Sequence, residues 1–126
     1  TDEVLRAVLV DPRVHLYVVQ NGGSEAGMLE LDFRAGDECE LAFFGLTADQ
    51  VGGGAGRWLM NRALTLAWAE DIKRLFVHTC TLDHPKALPF YVRSGFIPYK
   101  RCVEVSPDPR ATGHLPENSA PQIPRL

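Results

Sequence analysis

The sequence has few cysteines, no long apolar run and no surplus of positive charge. Its three cysteines, Cys39, Cys80 and Cys102, are an odd number and widely spaced. That pattern excludes a disulfide framework and lacks the paired spacing of a zinc site, so no metal is expected. Reduced thiols point to a cytoplasmic location. No stretch approaches the roughly 18 uninterrupted apolar residues of a membrane helix. The opening Thr1-Asp2-Glu3 is acidic, unlike a signal peptide, so no membrane partner is expected. The net charge of −3 gives nucleic acid nothing to bind. What is present is ordinary for a globular chain: 126 residues, 45% hydrophobic and 23% charged, enough for one domain with a real core.

Composition divides the chain near residue 105. Residues 1–105 alternate apolar runs with turn signals and read as the functional domain. Residues 106–126 hold five of the nine prolines and read as an extended tail, with Leu115, Ile123 and Leu126 available to pin it. Val4, Leu5, Val8 and Leu9 recur at helical spacing, and Asp11-Pro12 stops that helix. Strands follow at Val14–Gln20, Ala26–Phe33 and Glu38–Leu46, the first two joined at Asn21-Gly22-Gly23. In the third, alternation puts Glu38, Glu40, Ala42 and Phe44 on one face. A helix follows to about Glu70, with Met60, Ala63, Leu64 and Ala67 on its apolar side. Arg74–Cys80 reads as a strand buried on both faces, and His84 to about Ser94 as a short helix capped by Gly95. One or two closing strands are expected within Phe96–Val105. The order predicts an α/β fold: an antiparallel meander joined to a β-α-β crossover, giving a mixed sheet with helices on both faces.

Between the third strand and the next helix lies Val51-Gly52-Gly53-Gly54-Ala55-Gly56. Glycine there lets a ligand approach bare amides, and a helix start adds unpaired N–H groups with partial positive charge. This is an anion site, with phosphate the usual guest. Arg57 at the helix start is a phosphate partner. Arg57-Trp58 after Gly56 excludes a Walker A loop, which needs Lys-Ser/Thr. A dinucleotide fingerprint fails because its third glycine place holds Arg57.

The loop resembles the pyrophosphate loop of the GNAT superfamily of acyl-CoA-dependent N-acyltransferases, Gln/Arg-x-x-Gly-x-Gly/Ala, with Gly54 and Gly56 in the glycine places and Val51 in place of Gln or Arg. A second match is the family's Asn-x-x-Ala-x-x-x-Tyr-x-x-x-Gly-Phe, met here by Ala87, Tyr91, Gly95 and Phe96, with His84 in place of the asparagine. Glu40, eleven residues before Val51, falls at the family's catalytic strand glutamate. The resemblance spans about residues 2–105 and begins at the family's second helix. The chain is then a fragment, a short member, or a subunit whose acceptor site a neighbour completes.

The resemblance implies an N-acetyltransferase using acetyl-CoA as co-substrate, without metal, on a small-molecule or peptide amine. A homodimer is left open. Glu40 would be the general base and Tyr91 the donor to the leaving thiolate. The cofactor would contact Phe44 and Leu46 on the third strand, Val51 to Arg57 in the loop, and His84. The sheet would splay where the third and fourth strands part. Glu38 and Asp83 are reserve bases. His78, Cys80 and His84 have ligand chemistry but no fourth partner, and Cys80 reads as a small buried hydrophobe. The alternative is a non-catalytic acyl-CoA-binding or regulatory module of the same fold.

Overall fold

Asp2 and Glu3 sit in the first turn of α1 (Asp2–Leu9) and Arg6 in its last, both suited to the helix dipole. The Asp11 carboxylate then accepts the Arg13 amide at 2.9 Å and its guanidinium at 2.8 Å, which turns the chain into the sheet. Strand β1 (Val14–Asn21) pairs antiparallel with β2 (Ser24–Asp32). Their two-residue loop is Gly22-Gly23, with φ of +57° and +85°, the conformation of a type I′ hairpin turn. Strand β3 (Glu38–Leu46) pairs antiparallel with β2, and β4 (Arg74–Phe76) pairs parallel with β3, giving the order β1-β2-β3-β4. The parallel step requires a crossover, supplied by α2 (Ala55–Ala67). The fold is thus the mixed α/β arrangement expected. The structure, a computed structural model, describes residues 1–125, so Leu126 lies outside the described residues.

The chain divides into two compact units, one of residues 1–78 and one from Thr79 onward. The core of the first unites Leu29, Leu31, Cys39 and Leu41 with Leu59, Met60, Ala63 and Ala67 of α2. Leu59 takes a fully buried place that the spacing did not assign, while Leu64 is half-buried. Helix α2 stops at Ala67, short of Glu70. Two further acids, Glu70 and Asp71, would oppose the negative end of the dipole, and the chain turns there so that Ile72 reaches the core.

Three expectations are corrected. Strand β4 covers Arg74–Phe76, not Arg74–Cys80, and its apolar run is only half-buried, because it pairs with just Glu38–Glu40. Among the described residues, 96–105 hold no strand. Pro98 removes a ladder donor there, and Ile97, Val103 and Val105 stay largely exposed. The C-terminal segment is folded, not extended. The buried Arg110 donates from Nη1 to the carbonyls of Ser119, Ala120 and Ile123, and pairs with Asp108 at 2.7 Å. Gln122 ties the same segment to the carbonyls of Thr81 and Asp83.

In the second unit, α3 is Ala87–Arg93, starting later than His84. The His84 ring nitrogen Nδ1 accepts the Lys86 amide at 3.1 Å, forming a turn ahead of the helix. At its far end Gly95, φ +102°, donates to Val92 and Phe96 donates to Tyr91. These two bonds are the Schellman closure, and the Tyr91–Phe96 ring contact is its usual apolar partner.

Candidate active site

Pairing between β3 and β4 ends at Glu40–Phe76, yet β3 continues to Leu46. Its outer edge therefore runs on for six residues, about 20 Å, with no strand beside it among the described residues. A β-bulge starts at the same place. Leu31 faces Leu41 and Glu30 faces Phe43, so Ala42 is the extra residue. Bulges bend a strand and re-aim its side chains. This one corrects the expected alternation. Phe44 lies opposite Leu29 on the core side, while Phe43 continues the Glu38–Glu40 face in place of Ala42 and Phe44. Phe44 and Leu46, expected along the cofactor edge, both lie on the open stretch and are half-buried.

Glu40 is the last β3 residue with strands on both sides: Asp32 of β2 and Phe76 of β4. Its Oε1 lies 2.8 Å from Nδ1 of His78, two residues beyond Phe76. The carboxylate side chain is 25% exposed and the imidazole 81%, so the pair leads from a half-buried acid to open water. From its spacing alone, His78 is a candidate only as a metal or thiol partner. The signal for its actual neighbour is the parallel register, which puts positions 76 and 78 on the Glu40 side. The two reserve bases are engaged elsewhere. Glu38 is bound bidentately by Arg74, at 2.9 Å for each contact. Asp83 accepts Thr79 Oγ1 at 2.6 Å and the Cys80 amide at 2.9 Å.

After β3 a single 3-10 turn, Ala48–Gln50, leads to the glycine loop. Val51 is exposed and extended, and Gly52 and Gly54 adopt φ of +92° and +87°. Gly54 is the N-cap of α2, with Ala55 and Gly56 its first residues and Arg57 exposed just behind. No carboxylate stands in the first turn of α2 to compete for its amides. A Cβ added to Gly52, Gly53 or Gly54 would meet no other residue within 4 Å beyond its chain neighbours. The helix start is thus a cradle of free N–H groups open to an anion.

The second unit holds Tyr91 and His84. Burial, with the Asp83 charge second, raises the Tyr91 phenol above its usual range. The hydroxyl is therefore a proton donor at neutral pH. His84 is exposed and its Nδ1 is occupied by the Lys86 amide. Cys80, expected to be buried, is exposed; its amide organises the Asp83 turn. All three cysteines are free. Among the described residues no group of three or more His, Cys, Asp or Glu is placed to hold a metal, and no helix is long and apolar enough to cross a membrane. A depression of about 390 Å³ around His15 and Phe33 contains none of these site residues.

Known proteins bear on this arrangement. No curated protein sequence matches the chain significantly. Solved structures share its fold. A transcriptional regulator from Bacillus halodurans C-125 superposes with TM-score 0.69 at 21% identity, over 83% of this chain and 73% of that one. An aminoglycoside acetyltransferase from an uncultured soil metagenomic sample gives 0.66 at 15% identity, over 86% and 74%. An aminoglycoside N-acetyltransferase solved with CoA gives 0.68 at 9% identity, over 85% and 87%. Such low identities speak for the fold alone. The model of the acetyltransferase (GNAT) family matches residues 1–96, which include β3, the glycine loop and α3. The chain therefore belongs to the acetyltransferase (GNAT) family.

Proposed function

We propose that the protein is an N-acetyltransferase that moves the acetyl group of acetyl-CoA to an amine of a small molecule or peptide by direct attack. The observation that carries this reading is the open amide cradle at the start of α2, which follows the part of β3 that runs on past its pairing with β4. The cradle, with Arg57 behind it, would hold the pyrophosphate. The edge of β3 beyond Glu40, past the end of its pairing with β4, would hydrogen-bond an extended amide-bearing arm as an added strand would. His84 stands in the family's asparagine place and would lie along that arm.

The thioester supplies an activated acyl carbon. The amine nitrogen bonds to that carbon, the carbon–sulfur bond breaks, the sulfur leaves with its electron pair, and the nitrogen's extra proton passes to that thiolate or to water. The attacking amine must first be neutral, although free amines are mostly protonated near pH 7. Glu40 takes that proton, directly or through water, and His78 at 2.8 Å carries it to solvent. Tyr91 hydrogen-bonds the departing thiolate. Its raised pKa makes it a donor that stabilises the sulfur without complete proton transfer. The exposed free thiols of Cys80 and Cys102 suit a reducing, cytoplasmic setting.

Incubation with acetyl-CoA and a panel of amines, following free thiol, tests the reading. Amine-dependent thiol release is expected. CoA binding without release on any amine would favour the non-catalytic module, and absence of both would overturn the assignment.

A further inference from the structure

The chain from Ile97 to Pro107 is exposed at every residue and runs without helix, turn or bend. Its apolar side chains are bare: Ile97 is 83% exposed, Val103 90% and Val105 97%. Large apolar residues gathered on one exposed stretch mark an interaction surface. Tyr99 apart, no residue from 97 to 107 takes part in a hydrogen bond or ion pair among the described residues. Open amides and carbonyls along an extended chain are a template for another strand. As a strand the segment would carry Tyr99, Arg101, Val103 and Val105 on one face, and Pro98, Lys100, Cys102 and Glu104 on the other.

The segment is complementary to itself. In an antiparallel ribbon of two identical strands, the twofold axis passes through a residue that faces its own copy. An axis at Lys100, Arg101 or Glu104 would set like charges opposite each other, which destabilises the pair. An axis at Val103 would set all three charges opposite uncharged residues. An axis at Cys102 sets Lys100 opposite Glu104 twice, and Tyr99 opposite Val105 twice. The prolines fit this register as well. Along an antiparallel ladder, pairs that exchange N–H···O bonds alternate with pairs that do not. With Cys102 facing its copy in a non-bonded pair, residues 99, 101, 103 and 105 exchange the bonds. Pro98 then falls at a place that needs no donor, and Pro107 falls at one that does and ends the ladder.

We infer that residues 98–106 are a dimerisation strand, pairing antiparallel with the same residues of a second copy about a twofold axis at Cys102. The second copy supplies the neighbour that this strand-like stretch lacks. Each Val103 gains Arg101 of the other copy beside it and each Val105 gains Tyr99. A two-stranded ribbon is marginal alone, so the two Lys100–Glu104 pairs decide whether it holds, and association is expected at roughly micromolar concentration. The inference does not depend on acetyl transfer, and its test reads no turnover.

Sedimentation equilibrium of the reduced protein, from about 1 to about 300 μM, should show a reversible monomer–dimer equilibrium. Lys100→Glu sets carboxylates opposite each other at both places and should weaken the dimer about tenfold. Lys100→Glu with Glu104→Lys restores the pairs with their signs exchanged and should recover the wild-type affinity. Both positions are exposed and unpaired, so both variants should fold. Thiol trapping locates the axis. Cα atoms in a non-bonded antiparallel pair lie about 4.5 Å apart, within disulfide reach. With copper phenanthroline and air as oxidant, the wild type should therefore yield a dimer linked from Cys102 to Cys102, identified by peptide mass. A protein that stays monomeric throughout would overturn the inference. So would a dimer that Lys100→Glu leaves unchanged, one that the double exchange fails to restore, or one linked through Cys80 and not Cys102.

Discussion

The Cys39 thiol sits in the core beneath β2 and β3, where burial, reinforced by the Asp32 charge, pushes its pKa up to about 12. It should stay unreactive at pH 8. Iodoacetamide on the folded protein is expected to label Cys80 and Cys102 fully and Cys39 only after denaturation, as read by peptide mass. Early labelling of Cys39 would show that this core opens. Tyr91 is the second residue whose surroundings set its chemistry. Burial keeps its phenol protonated beyond the usual pH 10, so its donor role should persist across the working range. Tyr91→Phe keeps the ring. It should lower kcat by about 10- to 100-fold, the scale of a hydrogen bond to a charged group, with acetyl-CoA affinity near wild type. Loss of affinity alone would make Tyr91 a packing residue. Its position was readable because Ala87, Tyr91, Gly95 and Phe96 carry a spaced motif, and the Schellman closure gives the last two a local reason to be there. The neighbour of Glu40 was not readable. His78 meets it only through parallel pairing between segments about forty residues apart.

The glycine loop is the element on which the proposed cofactor binding turns. Gly52 and Gly54 need their left-handed backbone, which costs a residue with a Cβ about 1–2 kcal/mol. Gly53 does not have it and faces open space. Gly53→Ala should therefore fold normally, and any fall in its CoA affinity reports contact with ligand. Gly54→Asp adds a negative charge at the cradle and should weaken CoA at least tenfold by calorimetry; equal affinity in a folded variant would remove the loop from the site. In the core, Leu31 is fully buried, and Leu31→Ala should cost about 2–5 kcal/mol in denaturant unfolding. Strand β3 shows where pattern reading stops. Its ends were legible from apolar content and flanking turns. Its faces were not, because the bulge at Ala42 inverts the alternation after Leu41 and leaves no signal in composition. The stretch from Phe96 to Val105 fails differently. Its alternation is strand-like, but a strand needs a neighbour, and Pro98 weakens the ladder it would join.

At the scale of the whole molecule, two units fold around different devices. The first has an apolar core, which hydrophobic spacing revealed. The second is held in part by Arg110, which gathers carbonyls from Ser119 to Pro124 and is invisible in a sequence whose prolines suggest an extended tail. Arg110 holds the Asp108 carboxyl down at about 2, from the usual 3.8. A depressed carboxyl stabilises above its unfolded pKa and loses that contribution as pH falls through the folded value. Protection of the Ser119 and Ile123 amides should thus hold at pH 5 and decline between about pH 4 and 2, measured by hydrogen exchange corrected for intrinsic rate. Decline already at pH 5 would remove Asp108 from the lock. In the proposed reaction Glu40, relayed by His78, frees the amine for attack. Asp32 and Glu38, the other carboxylates in that corner, are held by Arg34 and Arg74 and cannot substitute. The direct measurement is thiol release from acetyl-CoA by wild type and Glu40→Gln from pH 6 to pH 10, at saturating amine. A loss of roughly 10²-fold is expected near pH 7, shrinking toward pH 10, where the amine sheds its proton unaided. A wild-type rate in Glu40→Gln, or a loss that is the same at every pH, would contradict it.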